Sequence, residues 1–227
     1  VWIERRSRDP LMQFALLRLP GLRAALGLTF AFMSSYGVQY YFMALYFQDG
    51  YGWSPLQAGL AFLPATAVCT VGIRLAEWTL RCWRARTVLV VGQLAGALGI
   101  AWVAAMLPHG AHFWPLLPGV VVLSIGQGMT WTSMWIVAGQ GVPAAQQGVA
   151  SGMAATAQQI GGALGLAVLV MVANAGAGPA GSPGALAGLV RAEYGAALFA
   201  LLGVVIALGL RVAPPDRAAR GCLANDA

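Results

Sequence analysis

Two short clusters of aromatic and amide side chains carry the chemistry that spacing groups most clearly in this sequence. Tyr36, Gln39 and Tyr40 form one, beside Ser34, Ser35 and Tyr41. Gln127, Trp131 and Trp135 form the other, among Thr130, Thr132 and Ser133. On a helix, Tyr36 and Tyr40 share a face, and Gln127, Trp131 and Trp135 share another. π faces with an amide between them recognise flat, apolar, often cationic molecules by stacking and cation–π attraction. An aromatic packing seam is the competing reading of the same residues. Neither cluster contains an acid, base or nucleophile pair, so the chemistry is recognition and no catalytic residue is assigned.

The remaining reactive residues fit blander roles. There is no His-Glu-x-x-His, no Gly-x-Ser-x-Gly and no lysine for a phosphate loop. Gly176-Ala177-Gly178-Pro179-Ala180-Gly181 matches Gly-x-Gly-x-x-Gly formally, but a proline and the absence of a preceding strand make it a loop. His109 and His112 flank a turn beside Pro108 and read as solvated loop histidines. Cys69, Cys82 and Cys222 lack paired or metal-type spacing, so neither metal nor cofactor is expected. Arg74 and Glu77 are three apart and can pair on one helix face, as an interfacial ion pair or as part of a gate with Arg84 and Arg86.

The elements that hold these residues are set by charge. From Thr87 to Val190 there is no Asp, Glu, Lys or Arg. A soluble surface is about a quarter charged, whereas a run this long accommodates about three or four membrane crossings of about 20 residues each. Apolar residues make up 59% of the chain and charged ones 9%, with a mean hydropathy of +0.73. Segments such as 88–107 are apolar all round, which excludes the alternation of a membrane barrel. The expectation is an all-α membrane protein with six spans at about 24–47, 55–76, 88–107, 113–138, 148–174 and 194–210. Residues 1–23 form a linker and 213–227 a tail. All thirteen basic residues are arginine, and all but Arg191 fall at one side of these spans. That bias places both termini in the cytoplasm of a cell membrane, with Tyr51, Trp53 and Trp114 at the outer interface. The net charge of +6 is therefore topological and implies no nucleic acid.

Span five is rich in glycine. Gly148, Gly152, Gly161, Gly162 and Gly165 form a small-residue face, and Gly161 with Gly165 makes a Gly-x-x-x-Gly step. In lipid such a face lets helix backbones approach closely, as packing or as a sliding interface.

Ser54-Pro55-Leu56-Gln57-Ala58-Gly59-Leu60-Ala61-Phe62-Leu63-Pro64 resembles the SPLxAGLxxLP segment of the major facilitator superfamily, specifically of its EmrB/QacA group of 14-helix drug:proton antiporters. Ala150-Ser151-Gly152, followed by Gln159-Ile160-Gly161-Gly162-Ala163-Leu164-Gly165-Leu166-Ala167, is similar to its ASG…QxGGAxGxA segment. Tyr46-Phe47-Gln48 resembles its YLQ, and Glu4-Arg5-Arg6 with Leu16-Leu17-Arg18 its linker before the last six helices. The sequence departs from the pattern at Trp83-Arg84-Ala85-Arg86, where the family keeps a glycine before its basic pair, and in the acid-free loop 141–147.

The resemblance implies the carboxy-terminal six-helix half of a major facilitator fold, whose partner is an amino-terminal half. A chain that opens on Val1 inside a charged segment fits such a piece. By that analogy spans one and four line a cavity, two and five face the other half, and three and six face lipid. The implied activity is export of a small hydrophobic or cationic substrate in exchange for protons. An exporter of one metabolite or antibiotic, or a non-transporting membrane remnant, are the alternatives. No acid lies in the charge-free run or deep in the other spans as divided, so coupling is expected to reside in the other half.

Overall fold

The computed structural model describes residues 16–17, 19–109, 113–176, 178 and 182–210. Among them the chain is helical, without strands, and forms six rods. The expected tail 213–227, most of the linker and His112 lie outside the described residues.

The first rod is α1 (Pro20–Phe32) and α2 (Val38–Leu45), joined by a π-helical turn at Met33–Gly37 and followed by another at Tyr46–Gly50. The first π turn has a local cause. Ser34 Oγ donates to the carbonyl of Phe30 at 2.9 Å and Ser35 Oγ to that of Ala31 at 2.8 Å. Such back-bonding competes with the backbone ladder and loosens a helix. Gly52, at φ +66°, then turns the chain, a conformation that glycine adopts without strain.

The second rod is α3 (Pro55–Leu60) and α4 (Phe62–Thr79). Ser54 and Gln57 start it with a reciprocal capping box, and Pro55 occupies the first turn. It is interrupted at Ala61 because Pro64 has no N–H to give to the carbonyl of Leu60. The third rod, α5 (Ala85–Met106), tightens at Leu107–His109, where Pro108 ends it. The fourth, α6 (Leu117–Gly139), is followed by Gly141 at φ +74°. The fifth and sixth are α7 (Gln147–Asn174) and α8 (Pro183–Gly209).

Rods two to six are each long and apolar enough to cross a bilayer. The first is divided by its π turns but runs helically from Pro20 to Gly50. The sixth begins at Pro183 and not near Tyr194, because Ser182 caps it through Ala185 N–H at 3.2 Å and Pro183 fits its first turn.

Small residues set the packing. A Cβ on Gly165 would stand 2.6 Å from Ser34, and one on Gly161 would strike the backbone of Phe30, so α7 lies directly on α1. The carbonyl of Gly161 also lies 2.8 Å from Ser34 Oγ, so that the one hydroxyl proton is shared between Phe30 and Gly161. Gly92, Gly99 and Gly126 bring α5 against α6 as closely, and Gly72 with Gly128 does the same for α4 and α6. These contacts replace the hydrophobic driving force that lipid does not supply between helices. The second and fifth rods keep the least of their surface inside the bundle. Leu98, Trp102, Leu198 and Val205 of the third and sixth rods are exposed apolar residues facing away from the core.

Candidate functional site

The first, second and fourth rods leave a recess between them. Gln39, Tyr40, Met43 and Phe47 line it from one side, Phe62 from α4 and Gln127 from α6. Gln127 Nε2 donates to Tyr40 Oη at 3.2 Å. The Tyr40 ring meets Phe62 edge-on at 5.4 Å. Of the residues expected to line a cavity, the fold thus brings together Gln39, Tyr40 and Gln127. The π turn at Met33–Gly37 helps aim this face, since it rotates α2 relative to α1.

Trp131 and Trp135 continue the wall along α6 toward the arginine-rich end. Their rings meet edge-on at 5.8 Å, and Trp131 lies 5.7 Å from Phe32. Trp135 lines a second opening with Gly139, Gln147, Gly148 and Ser151. Tyr36 is elsewhere. Its ring is buried, stacks on Phe32 at 4.9 Å and donates its hydroxyl to the carbonyl of Gly92 at 3.0 Å. Periodicity groups Tyr36 with Tyr40, but the intervening π turn adds about a residue per turn and separates them. Tyr36 therefore ties the first rod to α5, in the space left by Gly96.

At the other end, Phe47 is surrounded by Tyr51, Trp53 and Phe113, with Trp53 at 5.1 Å. Tyr46 Oη donates to the carbonyl of Leu107 at 3.1 Å. Trp114 is exposed beside this cluster's α6 end.

At the arginine-rich end, Arg74 and Glu77 pair at 3.0 Å, as their spacing requires. Arg84 caps the start of α5 by position only, with no side-chain hydrogen bond, and Arg86 is half-buried two residues on. The five glycines divide. Gly161 and Gly165 contact α1 tightly, Gly162 touches Met33 at an ordinary distance, and nothing lies within 4 Å of a Cβ at Gly148 or Gly152.

One buried ionisable residue is not legible in the sequence. Glu193 lies inside α8 and is fully buried, which overturns the expectation that no acid sits deep in a span. Its Oε2 accepts a hydrogen bond from Gln39 Nε2 at 2.8 Å. The Gly-, Ala- and Pro-rich stretch 175–188 and the charge at Arg191 put the expected start of this span just after Glu193. That guanidinium instead bends back, donating to the carbonyls of Ala175 at 2.7 Å and Ala187 at 3.3 Å. It satisfies the end of α7 while the aliphatic stem stays with the helix. Ser182-Pro183 was the available signal for the true start.

Six helical rods whose outer faces are apolar, with amide and aromatic side chains converging on an open recess, define an integral membrane protein of the polytopic helical class. The chain belongs to the major facilitator superfamily, a class of membrane transporters, which it matches over residues 3–166. It is similar to a cephamycin export protein of Amycolatopsis lactamdurans, with 35% identity over 57% of this chain and 27% of that protein. It is also similar to a probable actinorhodin transporter of Streptomyces coelicolor, with 30% identity over 56% of this chain and 22% of the relative. A tetracenomycin C resistance and export protein of Streptomyces glaucescens is 29% identical over 59% of this chain and 22% of its own length. The matched stretch thus spans about a quarter of these relatives.

Proposed function

We propose that this chain is the carboxy-terminal six-helix half of an EmrB/QacA-type exporter that expels small apolar or cationic molecules in exchange for protons. The observation that carries the reading is the recess walled by Tyr40, Gln127 and Phe62. Aromatic rings supply stacking and cation–π attraction, and the half-buried amide supplies one directional hydrogen bond. Few fixed polar contacts favour breadth over selectivity. The relatives named for export or resistance support an outward direction of transport.

The least buried rods, the second and fifth, would meet the amino-terminal half, and the two halves would rock about the recess. The arginine-rich end lies in the cytoplasm on this reading, by the positive-inside rule. A single-compound exporter is the second reading, favoured by relatives each named for one compound.

The test is efflux from cells expressing the full-length protein, with a panel of cationic dyes, neutral aromatics, and the cephamycin, actinorhodin and tetracenomycin C for which the relatives are named. Efflux of several that stops when a protonophore collapses the gradient supports multidrug antiport. Efflux that persists would overturn the antiport mechanism. Expulsion of a single compound decides for the second reading, and expulsion of none removes the transport assignment.

A further inference from the structure

Glu193 is the only carboxylate, guanidinium or imidazole among the described residues that is completely buried. It sits ten residues into α8, about 15 Å from the start of that helix at 1.5 Å per residue. A carboxylate at such depth needs a cation or several donors. Among the described residues it has one donor, the Gln39 amide.

The elements packed around it supply no counter-charge. α5 carries no ionisable side chain after Arg86, and α7 carries none. His109, in the turn after α5, faces the carbonyl of Ala105. The first rod offers Tyr36, committed to Gly92, Tyr40, held by Gln127 at the recess, Tyr46, committed to Leu107, and the exposed Tyr41, with Arg23 and Asp49 exposed near its two ends. On α8 itself, Arg191 is held by Ala175 and Ala187, and Tyr194 is exposed.

Two atoms of the pair are orphaned. Glu193 Oε1 and Gln39 Oε1 are both buried and both lack a hydrogen-bond partner. Two acceptors without a donor are what an acid–amide pair leaves when one proton is removed. A proton on Glu193 Oε1 creates an O–H that Gln39 Oε1 can accept, while Gln39 Nε2 continues to donate to Glu193 Oε2. One proton thus satisfies two buried groups, each of which is otherwise desolvated without a partner.

We propose that Glu193 and Gln39 form a proton-binding site that exchanges its proton against cargo in the neighbouring recess. This rests on the antiport reading above. In the loaded state a proton from water is bonded to Glu193 Oε1. On release that O–H bond breaks, the proton returns to water, and the carboxylate keeps the electron pair. Gln39 is the link, because the same side chain lines the recess and holds Glu193. A cation entering beside Gln39 stabilises the ionised carboxylate by Coulomb attraction in a low-dielectric setting and so drives the proton off. Reprotonation removes that attraction and frees the cation. A carboxylate therefore need not be sought only in the other half.

The proton site is tested with pH alone as the probe, by infrared spectroscopy of the full-length purified protein. The wild type should show a protonated-carboxyl carbonyl band that fades as pH rises through the titration range, and Glu193→Gln should lack it. Gln39→Leu and Glu193→Asp, which keep the acid, should shift the band's frequency and midpoint, so the test survives if Glu193→Gln fails to fold. An identical titration in wild type and Glu193→Gln, or midpoints unmoved in the other two, overturns the site.

Coupling is tested in proteoliposomes by expulsion of ethidium against its gradient. Loss of proton-driven expulsion in Glu193→Gln, partly restored in Glu193→Asp, is expected. Undiminished proton-driven expulsion in Glu193→Gln overturns the coupling role alone. Wild-type expulsion that ignores the proton gradient, or wild type that expels no ethidium, overturns coupling together with the antiport reading and leaves the infrared result to decide the proton site.

Discussion

The Gln127 amide nitrogen stands 3.2 Å from the Tyr40 hydroxyl, joining α6 to α2 across the mouth of the recess. Both side chains remain partly accessible, so neither is needed to fill the core.

Removing either polar group should therefore affect cargo more than fold. A neutral hydrogen bond is worth about 1 kcal/mol net, or roughly fivefold in affinity. Gln127→Ala should lower dye efflux by about that factor, with normal membrane levels on a blot. Tyr40→Phe keeps the ring on Phe62 and should cost no more. Tyr40→Ala loses the ring as well, and its loss should exceed that of Tyr40→Phe. Efflux equal to wild type in Gln127→Ala and Tyr40→Ala would remove the recess as the cargo site.

The start of the second rod makes a different prediction. Ser54 Oγ accepts from Gln57 N–H at 3.3 Å, and Gln57 Oε1 accepts from Ser54 N–H at 2.9 Å. Beyond it lie only the six residues of α3 before the break at Ala61. A cap serves such a short helix disproportionately, and its loss costs about 1 kcal/mol. Ser54→Ala should raise amide hydrogen exchange over 56–60 about fivefold and leave α5 unchanged. Uniform protection would mean that tertiary packing alone holds this turn.

The Arg74–Glu77 pair should contribute little to stability despite its 3.0 Å distance. The side chains are 77% and 48% exposed, and water screens such pairs to about 0–1 kcal/mol. Arg74→Ala and Glu77→Ala should melt within a degree or two of wild type in a thermal scan. A fall in transport at unchanged melting temperature would identify a gating role. A marked drop in melting temperature would mean the pair is structural.

What the sequence reveals follows from which forces are local. The six rods are legible because lipid demands runs of apolar residues, and the Arg74–Glu77 pair because three-residue spacing fixes it. Two features are not legible for physical reasons. The π turn breaks the 3.6-residue period between Tyr36 and Tyr40, so residues assigned to one face end on two. Glu193 lies beside Arg191, and charge at that spacing mimics a loop until Arg191 is seen bending to the end of α7. The glycines of α5 and α6 did carry a signal. Gly92, Gly96 and Gly99 recur at four and three residues, a packing face as regular as that of α7.

The glycines of α7 offer the sharpest division between fold and function. A methyl group on Gly165 would come within 2.6 Å of Ser34, and one on Gly161 would strike backbone, where nothing flexible can yield. Overpacking of this kind costs about 1–3 kcal/mol. Gly161→Ala and Gly165→Ala should therefore lower the melting temperature and the yield of monodisperse protein. Gly148→Ala and Gly152→Ala meet nothing within 4 Å and should fold as wild type, or slightly better, since alanine favours the helix by up to about 1 kcal/mol. These two glycines lie on the weakly buried fifth rod, beside the opening lined by Trp135 and Ser151. If the other half slides against this surface, bulk there should block motion without unfolding anything. Gly148→Leu and Gly152→Leu should then lose efflux while keeping their melting temperature. Full efflux in both would place the moving interface elsewhere.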